Sequence, residues 1–283
     1  MNIPNLFIVG GGRSGTTSLH EWLKEHPEVF MSEVKGPNFF GEEPNPGFEE
    51  FFKNKKKYLS LFSKANNKKI IGESSHYFWS KTAAKEIKKF NPEAKVIIIL
   101  RNPLDVAYSY YLNGNIPNNI SFEDSIASND LKVKKILDEL KYHNHLKRFL
   151  DNFKKEIQLH LIIFDDLSKN QKAVYKKLCK FLDINNNFIP DFKPHNQARK
   201  IKNKWLLKTI HLTPNSLKLF VKRILPKKIV DDIKTKIGIF TTKNRLENPK
   251  VKRVNAKTAK IFNEEIKKTK KLTGLNLNKW LIK

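Results

Sequence analysis

Apolar residues along this chain fall into short unbroken runs separated by amphipathic stretches. Leu6 to Val9, Lys95 to Leu100 and Ile157 to Phe164 are such runs, rich in β-formers, and each predicts a buried strand. Val29 to Met31 is a shorter run, and Ile70 to His76 reads as a strand running into a polar loop. Between these, apolar positions recur at helical spacing. Leu19, Trp22 and Leu23 predict a helix that ends by His26, ahead of Pro27. Thr82 to Phe90 predicts another, stopped before Pro92. Leu104, Ala107, Tyr108 and Tyr111 mark a third, Leu131 to Phe153 a long helical tract, and Ala173 to Leu182 a helix carrying Cys179 in the core. Phe48, Phe51, Phe52, Tyr58, Leu59 and Phe62 fit one amphipathic helix, with Lys53 to Lys57 as its solvated face. Strands alternating with helices at these spacings predict an α/β fold: a three-layer sandwich with a central parallel sheet and helices on both faces.

The last hundred residues lack strong strand signals. Pro190 to Lys204 reads as a basic loop. Trp205 to Phe240 alternates apolar and lysine residues, broken at Pro214 and Pro226. Asn255 to Leu272 reads as a basic amphipathic helix, and Trp280 is expected to dock on the body. The expected organisation is a single domain over 1–283. Residues 1–190 form its α/β core, and 191–283 a basic, mainly helical part that completes the sites.

Composition changes this picture in three ways. Hydrophobic residues at 39%, with 20 Phe, suffice for a sizeable core. A single cysteine excludes an internal disulfide and any cysteine-based zinc site. No leader pattern and no apolar run of about 20 residues stands out, so the expected location is the cytoplasm, with a membrane-peripheral contact as one variant. Lys and Arg number 55 against 28 Asp and Glu, a net charge of +27. That excess favours polyanionic partners, or else is solvated surface. Trp205 to Phe240 has two readings: an interfacial segment touching an anionic membrane, or a helical subdomain packing its apolar faces inward over an acceptor cleft.

The candidate chemistry starts at Gly10 to Thr17. A strand, three consecutive glycines and a helix start form the arrangement in which backbone N–H groups hold a phosphate. The stretch nearly fits G-x-x-x-x-G-K-[ST], except that Thr16 occupies the lysine position and Arg13 brings the cation. Ser14, Thr16, Thr17 and Ser18 add hydroxyl donors. The strongest strand ends in Arg101, where a nucleotide hydrolase or kinase usually carries the Asp that holds Mg²⁺. Arginine cannot hold a metal but pairs bidentately with phosphate. Ser109 follows two helical turns later. Two phosphate sites without a required metal follow: the glycine loop, and Arg101 with Ser109. A small-molecule kinase or nucleotide-binding enzyme, or a non-catalytic polyanion binder, are the alternatives.

Gly12-Arg-Ser-Gly-Thr-Thr-Ser-Leu19, Leu100-Arg-Asn-Pro-x-x-x-Ala-x-Ser109 and Phe164-Asp-Asp-Leu167 resemble the sulfotransferases that use 3′-phosphoadenosine 5′-phosphosulfate (PAPS). Lys35-x-Pro-x-Phe-Phe40 and Leu272-Thr-Gly-x-x-Leu-x-x-Trp280 are similar to the bacterial and heparan-sulfate-type branch. The resemblance implies a P-loop-like α/β fold and sulfuryl transfer from PAPS to an acceptor hydroxyl or amine on a glycan, glycolipid or small molecule. It implies no metal and no specific nucleic acid. Gly12, Arg13, Ser14, Gly15, Thr16, Thr17 and Ser18 would bind the 5′-phosphosulfate, and Arg101 and Ser109 the 3′-phosphate. Asn196, Arg199 and Lys202 would add cofactor contacts, with Lys243 to Arg253 as the other candidate stretch. Arg13 would stabilise bridging-oxygen charge, and Lys35 the leaving phosphate unless it is a surface lysine. The heparan-type branch usually has a glutamate base after Lys35, where this chain has Gly36. His76 is then the first candidate base and Glu73 the second; the other reading of His76 is a loop histidine without a role.

Overall fold

The computed structural model describes residues 2–192, 251 and 253–282, together with the backbone of 199–201 and 242–245. Five strands build one parallel sheet: β1 (Leu6–Ile8), β2 (Val29–Met31), β3 (Ile70–Ser74), β4 (Lys95–Leu100) and β5 (Leu159–Ile163), in the order β2-β3-β1-β4-β5. β1 lies at the centre, with Phe7 opposite Glu73 of β3 and Val96 of β4.

The unbroken apolar runs have a direct cause: both faces of the sheet are covered. Phe7, Val96, Ile98 and Leu100 enter one core, and Leu6, Ile8, Ile97 and Ile99 enter the other. A strand buried on both sides has no polar face to alternate with. Each such side chain contributes about 1.5–3 kcal/mol through burial. The first core packs against α3 (Ala83–Phe90), α4 (Pro103–Leu112), α7 (Tyr142–Asn152) and α10 (Ala256–Thr273). The second packs against α1 (Thr16–Lys24) and α9 (Gln171–Leu182), with Cys179 inside it. This is the three-layer α/β sandwich that the pattern predicts.

Two expectations need correction, and two helices go unread. The stretch from Phe48 to Phe62 is not one helix but a 3-10 turn, Glu49–Phe51, and a separate α2, Lys55–Ser60. Phe52 is extended, Lys53 has φ 52, and the Asn54 side chain accepts the Lys57 N–H at 3.1 Å, which starts the second piece. The tract from Leu131 to Phe153 divides into α6 (Leu131–Glu139) and α7, and the His145 ring meets the Asp138 carbonyl at 2.9 Å across the break. Two short helices, α5 (Phe122–Ala127) and α8 (Phe164–Lys169), carry no periodic signal long enough to read.

The chain divides into two compact units, Met1–His195 with Lys250–Lys283, and Asn196–Pro249. In the second, β6 (Arg199–Ile201) and β7 (Thr242–Arg245) form an antiparallel ladder where only loop and helix are expected. Trp205 to Phe240, with both readings offered for it, lies outside the described residues. In the first unit, α10 begins at Asn255, whose side chain accepts the Thr258 N–H at 2.9 Å, and ends at Gly274 with φ 73. Glu265 of α10 accepts from the His143 backbone N–H at 2.9 Å and meets the His143 ring at 2.6 Å, which fixes α10 on α7. Trp280 is buried as expected. Among the described residues no helix is long and apolar enough to cross a membrane.

Candidate active site

In a parallel sheet, ligands sit at the carboxyl ends of the strands. Here β1 ends in the glycine loop, β3 in Ser75 and His76, β4 in Arg101 and β5 in Phe164 and Asp165. α1 starts at Gly15, which has φ 85 and makes no side-chain cap, and its first turn has no acidic residue. The positive end of the helix dipole therefore faces the loop with no side-chain cap and no acidic side chain in its first turn. Arg13 is exposed, with φ 62, and Ser14 is buried, its hydroxyl donating to the Gly12 carbonyl at 3.3 Å. Thr16, Thr17 and Ser18 are half-buried in the first turn.

Arg101 links the two expected phosphate sites. Its Nη1 donates to the Arg13 carbonyl at 2.9 Å, and its guanidinium lies 4.8 Å from the centre of the Phe164 ring. The Nη2 atom is buried and meets no hydrogen-bond partner among the described residues. Burial works against the arginine's charge, while Asp105, Tyr142 and Asp165 support it and Arg13 opposes it. A buried guanidinium with one orphaned nitrogen fits a bound anion, because an unpaired buried donor costs about 1–3 kcal/mol. Asn102 caps α4 by accepting the Leu104 N–H at 3.0 Å, so Arg101 stands between the end of β4 and the start of α4, and Ser109 is buried two turns along that helix. Trp280 Nε1 donates to Asp165 at 2.9 Å, joining two of the sequence motifs. A cavity of about 920 Å³ opens nearby, with Asn102, Asp165, Arg253 and Trp280 in its wall. Asn196 and Lys202 lie outside the described residues, as does the side chain of Arg199.

Two aromatic residues that the sequence pattern does not single out, Trp79 and Tyr110, wall the loop. A Cβ on Gly12 would come within 2.3 Å of the Tyr110 hydroxyl and 3.5 Å of the Trp79 ring. The Arg13 guanidinium lies 5.9 Å from the Tyr110 ring centre, and Arg13 Nη2 reaches Asn115 at 3.5 Å. We therefore expect Gly12→Ala to weaken phosphate-ligand binding and destabilise the fold by about 1–3 kcal/mol, the usual cost of overpacking. Tyr110→Phe in the same chain should recover part of the stability, since the hydroxyl is the clashing group. Thermal melts of the single and double variants check this.

His76 is exposed and stacks on Trp79, with ring centres 5.5 Å apart and planes within 7°. Through Trp79 it stands beside Gly12, at the loop mouth. Desolvation by the packed protein, and secondarily the charge of Lys35, lower its pKa. Lys35 is half-buried, its own pKa lowered by that burial, and its charge also reaches His20 of α1, whose pKa burial brings down to about 4. Lys35 thus faces both His76 and the helix that follows the glycine loop. Gly36 has φ 86, and a Cβ there would lie 2.7 Å from Asn45 Nδ2, which itself donates to the Gly36 carbonyl at 2.9 Å. The loop backbone is built for glycine, so a glutamate base at this position would need a different loop.

Glu73 differs from its reading as a second candidate base. It is wholly buried and accepts from Tyr58 Oη at 2.6 Å, Tyr77 Oη at 2.9 Å and Ser75 Oγ at 2.8 Å. Burial raises its pKa to about 7 against the pull of these three donors. With no exposed surface, it cannot touch an acceptor. Among the described residues, no group of three or more His, Cys, Asp or Glu side chains could hold a metal ion.

A glycine loop and helix start on the central strand, bonded through Arg101 to the end of the next strand, define a P-loop-like α/β protein. The chain belongs to the sulfotransferase domain family, whose model matches residues 4–269. It is 29% identical over 201 residues to the bifunctional heparan sulfate N-deacetylase/N-sulfotransferase 1 of Caenorhabditis briggsae, covering 65% of this chain and 23% of that protein. It is 28% identical over 197 residues to the human enzyme numbered 2 of that name, covering 64% and 22%. The match thus spans less than a quarter of the length of these relatives. The crystal structure of a sulfotransferase from Alicyclobacillus acidocaldarius shares the fold, with a TM-score of 0.67 at 22% identity over 99% of both chains.

Proposed function

We propose that this chain transfers a sulfuryl group from PAPS to a hydroxyl or amine of a carbohydrate acceptor. The observation that carries this is the orphaned, buried Nη2 of Arg101, held beside the glycine loop by the bond to the Arg13 carbonyl. A donor with a phosphate at each end of one nucleoside needs two linked anion sites. In this reading Gly12 to Ser18 hold the phosphosulfate end, and Arg101 with Ser109 hold the 3′-phosphate. PAPS supplies the activated sulfuryl group; adenosine 3′,5′-bisphosphate departs as its sulfur–oxygen bond breaks and the acceptor's bond to sulfur forms. Arg13 and the N–H groups of α1 offset charge on the departing phosphate oxygen, and Lys35 adds to that field. His76 takes the proton that the acceptor gives up. A carbohydrate acceptor is supported by the heparan sulfate N-sulfotransferases among the relatives and by the net charge of +27, which suits an acidic glycan.

Calorimetry in EDTA tests the reading. Adenosine 3′,5′-bisphosphate is expected to bind and ATP to bind far more weakly, since ATP lacks a 3′-phosphate for Arg101. The activity, followed by mass spectrometry of glycan acceptors incubated with PAPS, is expected to survive chelation, because arginine and helix-end N–H groups neutralise the phosphates. Activity lost in EDTA and restored by Mg²⁺, or preference for ATP, would point to phosphoryl transfer instead.

A further inference from the structure

We infer that Glu73 is a positioning residue that fixes the Lys35–Phe40 loop at the transfer site. The inference rests on the sulfuryl-transfer reading above. The loop is attached to the end of β3 through alternate backbone N–H groups. Gly36 N–H donates to the Ser74 carbonyl at 2.8 Å, Asn38 N–H to Ser75 Oγ at 3.4 Å and Phe40 N–H to Tyr77 Oη at 3.4 Å. Two of these three acceptors are hydroxyls, and a hydroxyl turns freely unless its own proton is committed. Both protons are committed to one group: Ser75 Oγ donates to Glu73 Oε2 and Tyr77 Oη to Oε1. Glu73 thereby keeps the oxygen lone pairs of Ser75 and Tyr77 available to the loop. It is the hub of a relay from carboxylate through hydroxyl to loop amide.

The relay ends at the site. The Ser75 N–H donates to the Ile8 carbonyl at 3.1 Å, so the same residue is bonded to the strand that runs into the glycine loop. Phe40 packs edge-on against Phe7 of β1, with ring centres 5.7 Å apart. Lys35 begins the loop, and His76 follows Ser75 directly. Glu73 touches none of the reacting groups; it sets where Lys35 and His76 stand. The third donor, Tyr58, reaches Oε1 at 2.6 Å but is not an acceptor for either loop amide, which makes it an internal control.

Glu73→Gln keeps the shape but offers one acceptor oxygen where the carboxylate has two, and its NH₂ must donate to a hydroxyl that should itself donate. Hydrogen exchange of the full chain is expected to show protection lost at the Asn38 and Phe40 amides and kept at Gly36. The kcat for sulfuryl transfer is expected to fall about 10-fold or more, a cost of misplacement, while bisphosphate affinity and the KM for PAPS stay within about twofold. Ser75→Ala, a smaller change, should release the Asn38 amide with the same kcat-only signature. Tyr58→Phe should leave both amides protected and kcat near the parent value. Retained protection at Asn38 and Phe40 in both Glu73→Gln and Ser75→Ala would overturn the inference, as would lost protection with unchanged kcat. So would a matching loss in Tyr58→Phe, which would mean general loosening of the core. If the parent chain transfers no sulfuryl group at all, it is the functional reading that fails, and the exchange data still decide whether Glu73 holds the loop.

Discussion

Arg101→Ala is expected to weaken adenosine 3′,5′-bisphosphate binding by about 1.5–3 kcal/mol, the range for hydrogen bonds to charged groups. That is roughly a 10- to 150-fold rise in Kd, at 1.4 kcal/mol per decade. Two contacts and one buried donor make the arginine more than a surface cation. It bonds the Arg13 carbonyl, it lies over Phe164, and its second terminal nitrogen is buried without a partner among the described residues. Arg101→Lys keeps the charge but cannot reach the Arg13 carbonyl and an anion at once, so its affinity should fall between parent and alanine variant. The diagnostic ligand is adenosine 5′-phosphate, which has no 3′-phosphate. Its affinity should change little in Arg101→Ala. Titration calorimetry with both nucleotides measures the difference, and an equal loss for both would mean that Arg101 supports the glycine loop and binds no second phosphate.

What could be read from sequence, and what could not, follows from how each feature is encoded. β4 was legible to the residue because Val96 to Leu100 are buried on both sheet faces, so nothing but apolar residues fits there. The places of the glycine loop and Arg101 were legible because glycines and an arginine directly after unbroken apolar runs mark where β1 and β4 stop. The break after Phe52 was encoded by Asn54, a cap residue inside an otherwise periodic stretch, and periodicity outweighed it. The β6–β7 ladder pairs Arg199, Lys200 and Ile201 with Arg245, Lys243 and Thr242. A pairing of polar residues between distant segments leaves no apolar pattern to find.

At the site, Trp79 and Tyr110 were missed because neither stands at a position that a motif or the helical spacing marks, and Phe164 was read in its motif without a role toward Arg101. The available signal was indirect: Gly12 lacks a side chain because Tyr110 and Trp79 occupy its space. Glu73 beside His76 looked like an alternative base because a sequence carries no depth. Only the fold shows three hydroxyls closed around the one carboxylate while the neighbouring imidazole reaches solvent.

His76→Ala is expected to lower kcat by about two orders of magnitude or more, within the roughly 10²–10⁴-fold range of a positioned base. Bisphosphate affinity should change little, since His76 stands at the Gly12 side of the site and Arg101 holds the far phosphate in this reading. The pH profile gives the sign. A histidine acts as base only when neutral, and desolvation and Lys35 both lower its pKa. The neutral form therefore already predominates at pH 7, and the rate should fall as pH drops through a value below the ordinary histidine pKa of about 6.5. Removing the Lys35 charge removes one of the two causes, so in Lys35→Met the acid limb should move up toward that ordinary value, whatever happens to the maximal rate. Trp79→Leu, which takes away the stacked ring, should lower kcat while the acid limb survives, because the imidazole is then present but loosely held. Rate–pH profiles of the parent and these three variants decide the assignment. An acid limb that persists unchanged in His76→Ala would move the base to another group, and near-parental kcat in that variant would leave the acceptor's proton to water.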